Sequence, residues 1–221
     1  MNAVRAVFFD VDETLVDFDA AALRAHTELF GALDGYAQWC TLTPEFWLRF
    51  TAGELGFQAM REARMARYLA VAGLTGSAGE YEARRWELVE SSFQTYPDVA
   101  GCLAQLRGAG LLLGVITNND SVHQRRKLAT VGLAEAFDTV VISGEVGHAK
   151  PDVAIFAHAC RSLAIEPAQA VHVGDLLDID AYGARDAGLR GVWLDRRGLH
   201  DGSVIDVTVV ADLGGLADLI A

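Results

Sequence analysis

Six short apolar runs punctuate the chain, at residues 6–9, 111–116, 139–142, 170–173, 191–194 and 207–210, and they are rich in Val, Ile and Phe. Uninterrupted apolar runs of this length are the pattern of strands covered on both faces. Between and after them lie stretches with helical spacing, at about 99–107, 122–131, 153–163, 179–187 and 213–220. Strand and helix alternate, which predicts an α/β fold built on a doubly wound parallel sheet. Residues 17–92 break the alternation. No strand pattern appears there, and apolar positions recur three and four apart, as in Leu23, Thr27, Phe30 and Leu33 and again in Phe46, Leu48, Phe50, Leu55 and Met60. That is too much helix for one crossover, so the expectation is an all-helical subdomain, 17–92, inserted into a core made of 1–16 and 93–221. Residues 73–79 read as a loop between its helices.

Composition narrows the possibilities. The chain has 221 residues and 52% hydrophobic content, enough to bury an ordinary core without metal or disulfide staples. Its net charge of -12 argues against general affinity for nucleic acid, so any phosphate must be met by local positive groups or a bound cation. Cys40, Cys102 and Cys160 are widely spaced, without a C-x-x-C pair or a Cys/His cluster, and read as buried free thiols. The apolar start ends at once in Asp10, unlike a signal peptide, and no stretch approaches the roughly 18 apolar residues of a membrane span. A cytoplasmic location without membrane contact is the expectation.

Chemistry collects where the apolar runs end. Asp10 and Asp12, in Phe8-Phe9-Asp10-Val11-Asp12-Glu13-Thr14-Leu15, follow the first run. Two carboxylates at this spacing project to one side of an extended chain and repel unless a cation or a shared proton relieves them. Asp175 and Asp180 follow a later run, in Gly174-Asp175-Leu176-Leu177-Asp178-Ile179-Asp180. Parallel strands bring their C-terminal ends to one edge, which is where such sheets bind ligands. An oxygen-only donor set favours Mg²⁺ over zinc or copper. Thr117, Asn118 and Asn119 close another run at a helix start, a place suited equally to capping and to anion contact. Lys150 precedes a helix that Pro151 can open. It is one of only two lysines, the other being Lys127, in a chain whose 18 basic residues are otherwise arginine. That contrast hints at a compact point charge.

In chain order these segments resemble the four motifs of the haloacid dehalogenase superfamily: D-x-D-x-T, a strand-ending Thr, K-P, and G-D-x-x-x-x-D. The resemblance covers the core and implies a Rossmannoid domain with a helical cap. It also implies a phosphatase with an aspartyl-phosphate intermediate. Asp10 would be the nucleophile, Asp12 the general acid and base, Thr117, Asn118 and Lys150 the groups on the phosphoryl oxygens. Mg²⁺ would lie on Asp10, the Asp12 main-chain carbonyl and Asp175, with Asp180 acting from behind these ligands. The implied substrate is a small phosphorylated metabolite, acted on by a monomer or a homodimer. Glu13 stands where many members carry Gly or Asp, and Leu176 where Ser is frequent.

Within the superfamily a sugar-phosphate mutase shares these core residues, whereas the dehalogenase branch typically lacks the second aspartate. A receiver-type phospho-acceptor combines similar residues, but its aspartate ends the third strand. A nicotinamide fold would need G-x-G-x-x-G after the first strand, where Asp10 stands instead. In the helical region Trp39, Trp47, Arg49, Phe57, Arg61, Arg64 and Arg67 could meet a sugar, a base or a second anion, although each reads first as core packing or a solvated face. His148 lies near Lys150 in sequence. His172, inside an apolar strand, reads as a buried histidine with its hydrogen bonds met.

Overall fold

The computed structural model describes residues 3–31 and 33–220, residues 33 and 34 by their backbone alone. The chain divides into two compact units, 1–17 with 95–221, and 18–94. In the first unit six strands form one sheet in the order β3-β2-β1-β4-β5-β6, with every neighbouring pair parallel. The strands are β1 Ala6–Phe9, β2 Leu112–Thr117, β3 Thr139–Ile142, β4 Ala170–Gly174, β5 Arg190–Leu194 and β6 Thr208–Val210. Burial follows from position. Every residue of β1 and β4 is buried, while the edge strand β6 is half-buried throughout, which is why the central runs are the more purely apolar.

The remaining elements of this unit are α5 Val99–Gly108, α6 Ser121–Thr130, α7 Ser143–Val146, α8 Val153–Ser162, α9 Gly183–Asp186 and α10 Leu216–Ile220. One core cluster joins Phe8 and Ile116 of the sheet to Ile155, Phe156 and Ala159 of α8. Pro151 does not open α8; Asp152 caps it, accepting from Ala154 N at 2.9 Å. The expected helix over 179–187 is a wide π-type turn at Leu177–Tyr182 followed by the short α9. Gly174 and Gly191 explain the turn. A Cβ on Gly174 would lie 2.2 Å from Asp180 Cγ, and one on Gly191 would lie 2.1 Å from Ala181 O, so only hydrogen lets the turn sink onto β4 and β5.

The second unit holds α1 Phe18–Phe30, α2 Leu33–Thr51, α3 Phe57–Val71 and α4 Ala78–Ser91. Its apolar centre includes Trp39 of α2 and Met65, Tyr68 and Leu69 of α3. The His26 ring sits among Phe30, Tyr36, Trp39 and Tyr68, and burial pushes its pKa down to about 4. Cys102 and Cys160 are buried thiols as expected, but Cys40, on α2, is exposed. No described helix is long and apolar enough to cross a membrane.

Candidate active site

β1 lies between β2 and β4, where the chain order reverses along the sheet, and a ligand crevice is expected outside the carboxyl ends of the strands there. Register brings the chemistry together. Phe9 is level with Val115 and with Val173, so the residues just beyond these positions share one edge. Asp10 follows β1 and donates its backbone N–H to Val173 O at 2.9 Å, which ties it to β4.

Around the buried Asp10 carboxylate the structure assembles a charged relay. Lys150 Nζ lies 2.7 Å from Asp10 Oδ1 and 2.6 Å from Asp180 Oδ1. Asp180 also accepts from Leu176 N at 3.1 Å and meets His172 Nε2 at 3.1 Å. Carboxylate oxygens of Asp10, Asp175 and Asp180 all fall within 4.8 Å of one another. Asp180 is thus part of the cluster itself, although its oxygens are already engaged by Lys150, His172 and a backbone N–H. His172 is only half satisfied, since its buried Nδ1 has no hydrogen-bond partner.

Electrostatics follow from this crowding. Burial, aided by the Asp180 charge, pushes Asp10 up to about 6 against the pull of Lys150. Asp175 rises further, to about 8, through burial and then the charges of Asp10 and Asp180. Burial also works to raise Asp180, but Lys150 and His172 override it and hold that carboxyl well below the usual range. Lys150 is held above its ordinary value, because Asp10 and Asp180 outweigh its burial. Two carboxyls that resist ionisation beside a third that is saturated form a site whose repulsion a hard cation would relieve. The donor set fits Mg²⁺.

Asp12 does not join this cluster. Lys127 Nζ forms a short ion pair with its Oδ1, while Asn119 Nδ2 and Gln124 Nε2 approach Oδ2 at 3.4 and 3.5 Å. Gln124 Nε2 also donates to Thr117 Oγ1 at 2.9 Å, so one amide couples the Asp12 and Thr117 side chains. Asn118 clamps the Lys150 loop, donating to Lys150 O at 2.8 Å and accepting from Lys150 N at 2.7 Å. Its side chain is therefore committed to holding Lys150 in place. The cap of α6 is Asp120, which accepts from His123 N at 3.2 Å, so residues 117–119 precede the cap and do not form it.

The sequence places Asp10, Asp12, Thr117 and Asp175 at one sheet edge, with Lys150 and Asp180 joined to them by the family resemblance, and leaves out Gln124 and Lys127; the structure holds Asp12 apart from the other three carboxylates. One signal was present: Gln124-x-x-Lys127 places both on one face of a helix that leaves the site. The sequence also leaves out Trp193 and Arg197, which hold Asp175. The Trp193 indole donates to Asp175 O at 2.9 Å, and Arg197 Nη2 lies 3.3 Å from its Oδ2. His148 turns to the surface, where its Nδ1 lies 2.9 Å from Asp152 Oδ2.

The chain is 42% identical over 125 residues to a phosphoserine phosphatase of Thermus thermophilus, a match covering 54% of this chain and 50% of that protein. It thus spans about half the length of that relative. It is 30% identical to the human (Homo sapiens) N-acylneuraminate-9-phosphatase, over 90% of this chain and 86% of that one. Among solved structures, the HAD-hydrolase YfnB of Bacillus subtilis, bound to magnesium, superposes with a TM-score of 0.84 at 23% identity, covering 99% of both chains; this likeness shows the fold. Residues 4–188 match the haloacid dehalogenase-like hydrolases, and the chain belongs to that family.

Proposed function

We propose that the protein is a magnesium-dependent phosphomonoester hydrolase that acts on a small phosphorylated metabolite through a phosphoaspartate on Asp10. The observation that carries this reading is the buried Asp10 carboxylate, 2.7 Å from Lys150 Nζ and grouped with Asp175 and Asp180 within 4.8 Å. When bound, Mg²⁺ would be held by Asp10, Asp175 and the Asp12 main-chain carbonyl, and supplies the positive charge that lets a carboxylate approach a phosphate dianion. The phosphatase names of the relatives support the reaction class.

The chain's own residues then divide the work. A carboxylate oxygen of Asp10 attacks phosphorus, and the ester P–O bond breaks as Asp12 gives its proton to the departing alkoxide. Water next attacks the phosphoaspartate. Its proton passes to Asp12, the bond from phosphorus to Asp10 breaks, and phosphate leaves with both aspartates restored. Lys150 offsets charge at Asp10, and the Thr117 hydroxyl, which accepts from Gln124, keeps its own hydrogen to donate to a phosphoryl oxygen. Lys127, Asn119 and Gln124 fix where the Asp12 carboxyl stands.

Phosphate release from p-nitrophenyl phosphate, followed with Mg²⁺ and with EDTA, tests this directly. Release that requires Mg²⁺ and is abolished in Asp10→Asn is the expected result. Undiminished release by Asp10→Asn, checked for deamidation, would overturn the mechanism.

A further inference from the structure

Among the described residues of the helical unit, buried positive charges outnumber buried negative ones. Arg61, Arg64 and Arg85 are 3%, 8% and 1% exposed, around a single fully buried carboxylate, Glu82. Glu82 is fully used: it accepts from Arg85 Nε at 2.8 Å and Nη2 at 3.0 Å, and from Arg61 Nε at 2.8 Å. Arg61 additionally feels the Glu90 charge and stacks on Trp86 at 3.9 Å. Arg64 is the odd member. No carboxylate pairs with it among the described residues; its Nη1 makes one long contact to Thr43 Oγ1 at 3.4 Å, and its buried Nε has no hydrogen-bond partner. Glu82 attracts it electrostatically, but the Glu82 oxygens are hydrogen-bonded to Arg85 and Arg61, and a buried guanidinium without its own hydrogen-bonded carboxylate is costly; burial with the neighbouring Arg85 charge pulls its pKa down to about 9, which still leaves it charged at neutral pH.

The surroundings point to what would pair with it. The guanidinium lies over the Trp39 ring at 4.2 Å, so its plane is fixed, and the edge carrying Nε makes no hydrogen bond. That edge matches the two oxygens of a carboxylate. Thr43 of α2 stands beside it by contact, and Tyr36 and Cys40, at i and i+4 where Thr43 is i+7, share that face of α2. Tyr36 and Thr43 are half-buried and Cys40 is exposed, so Arg64 is one side chain below the surface.

We propose that the helical unit carries a binding site for the carboxylate of a small molecule, with Arg64 as the receiving group and the Thr43 hydroxyl beside it. The site does not rest on the phosphatase reading, since binding is measurable without turnover. The carboxylate can belong to the phosphate ester that is cleaved or to a separate effector.

The probe is succinate, with neutral succinamide as control, titrated calorimetrically into the full chain and into Asp10→Asn. Saturable binding of succinate to both proteins, with none of succinamide, is expected. Arg64→Gln should weaken it by about tenfold or more, and Arg64→Lys by less, because the charge stays while the fork is lost. Binding that survives Arg64→Gln unchanged, or no binding to the wild-type chain, overturns the proposal. Should Arg64→Gln fail to fold, maleimide labelling of the exposed Cys40 in the wild-type chain decides: succinate must slow it and succinamide must not, and equal rates overturn the site. Comparing kcat/KM for phosphoserine and phosphoethanolamine in wild type and Arg64→Lys identifies the source. A preference for phosphoserine that shrinks in the variant assigns the carboxylate to the substrate, and an unchanged ratio with weakened succinate binding assigns it to an effector.

Discussion

At the scale of single residues, the two lysines of an arginine-rich chain each hold one aspartate of the D-x-D pair. Lys150 meets Asp10 and Lys127 meets Asp12, so both carboxylates are pinned by compact ammonium groups that leave their other oxygens accessible to additional partners. On the mechanism proposed above the two aspartates do different work, and each loss follows from the role proposed there. Asp10→Asn removes the nucleophile and is expected to abolish turnover. Asp12→Asn keeps the nucleophile but removes proton transfer, and steady-state assays should show kcat lower by about 10²–10⁴-fold with KM little changed. Lys127→Met keeps both aspartates but leaves the Asp12 carboxyl to Asn119 and Gln124, so kcat should fall by up to about 10²-fold through its looser placement. Wild-type kcat in Lys127→Met would show that Asp12 is held without it.

At the scale of elements, the wide turn after β4 delivers Asp180 to Lys150, and Gly174 is what admits it. Gly174→Ala places a Cβ 2.2 Å from Asp180 Cγ and must displace that carboxylate from Lys150 and Leu176 N. A stability loss of about 1–3 kcal/mol by denaturant unfolding is expected, together with weaker Mg²⁺ binding. Gly101→Ala, in α5 with nothing within 4 Å of the new Cβ, should instead gain about 0.5–1 kcal/mol. These elements also show what the sequence could and could not reveal. The central strands were legible because burial on both faces leaves only apolar residues, and the strand-ending aspartates because polar groups there stand out against those runs. The turn at Leu177–Tyr182 was not legible, since its spacing of Leu, Ile and Ala reads as an ordinary helix and its width depends on the contacts at Gly174 and Gly191. Lys127 was unreadable as a partner of Asp12 because pairing across 115 positions is set by the sheet rather than by local pattern. The burial of Arg61, Arg64 and Arg85 was hidden for a similar reason: a helical arginine reads as solvated until a second helix covers it.

At the scale of the whole molecule, a chain of net charge -12 concentrates carboxylates at one sheet edge, and folding must work against their repulsion. The pH dependence of stability should carry the cost of burying and crowding these acids, with a sign opposite to the usual one for acids. Asp175 rises from 3.8 to about 8, so between those values the native state holds a proton that the unfolded chain has lost, and stability falls as pH rises. Buried histidines act in the other direction lower down. His26 drops from 6.5 to about 4 and His172 is lowered as well, both chiefly by burial, so they add stability as pH climbs towards 6.5 and nothing above it. The window from about 6.5 to 8 therefore isolates the acidic cluster. In EDTA, the Tm measured by calorimetry should decline across that window, and Asp175→Asn should flatten the decline. A cation binds the ionised form, so saturating Mg²⁺ should raise Tm more at the upper end than at the lower. A Tm in EDTA that climbs from about pH 6.5 to 8, or a Mg²⁺ shift larger at the acidic end, would mean that these carboxylates do not burden the fold as their spacing requires.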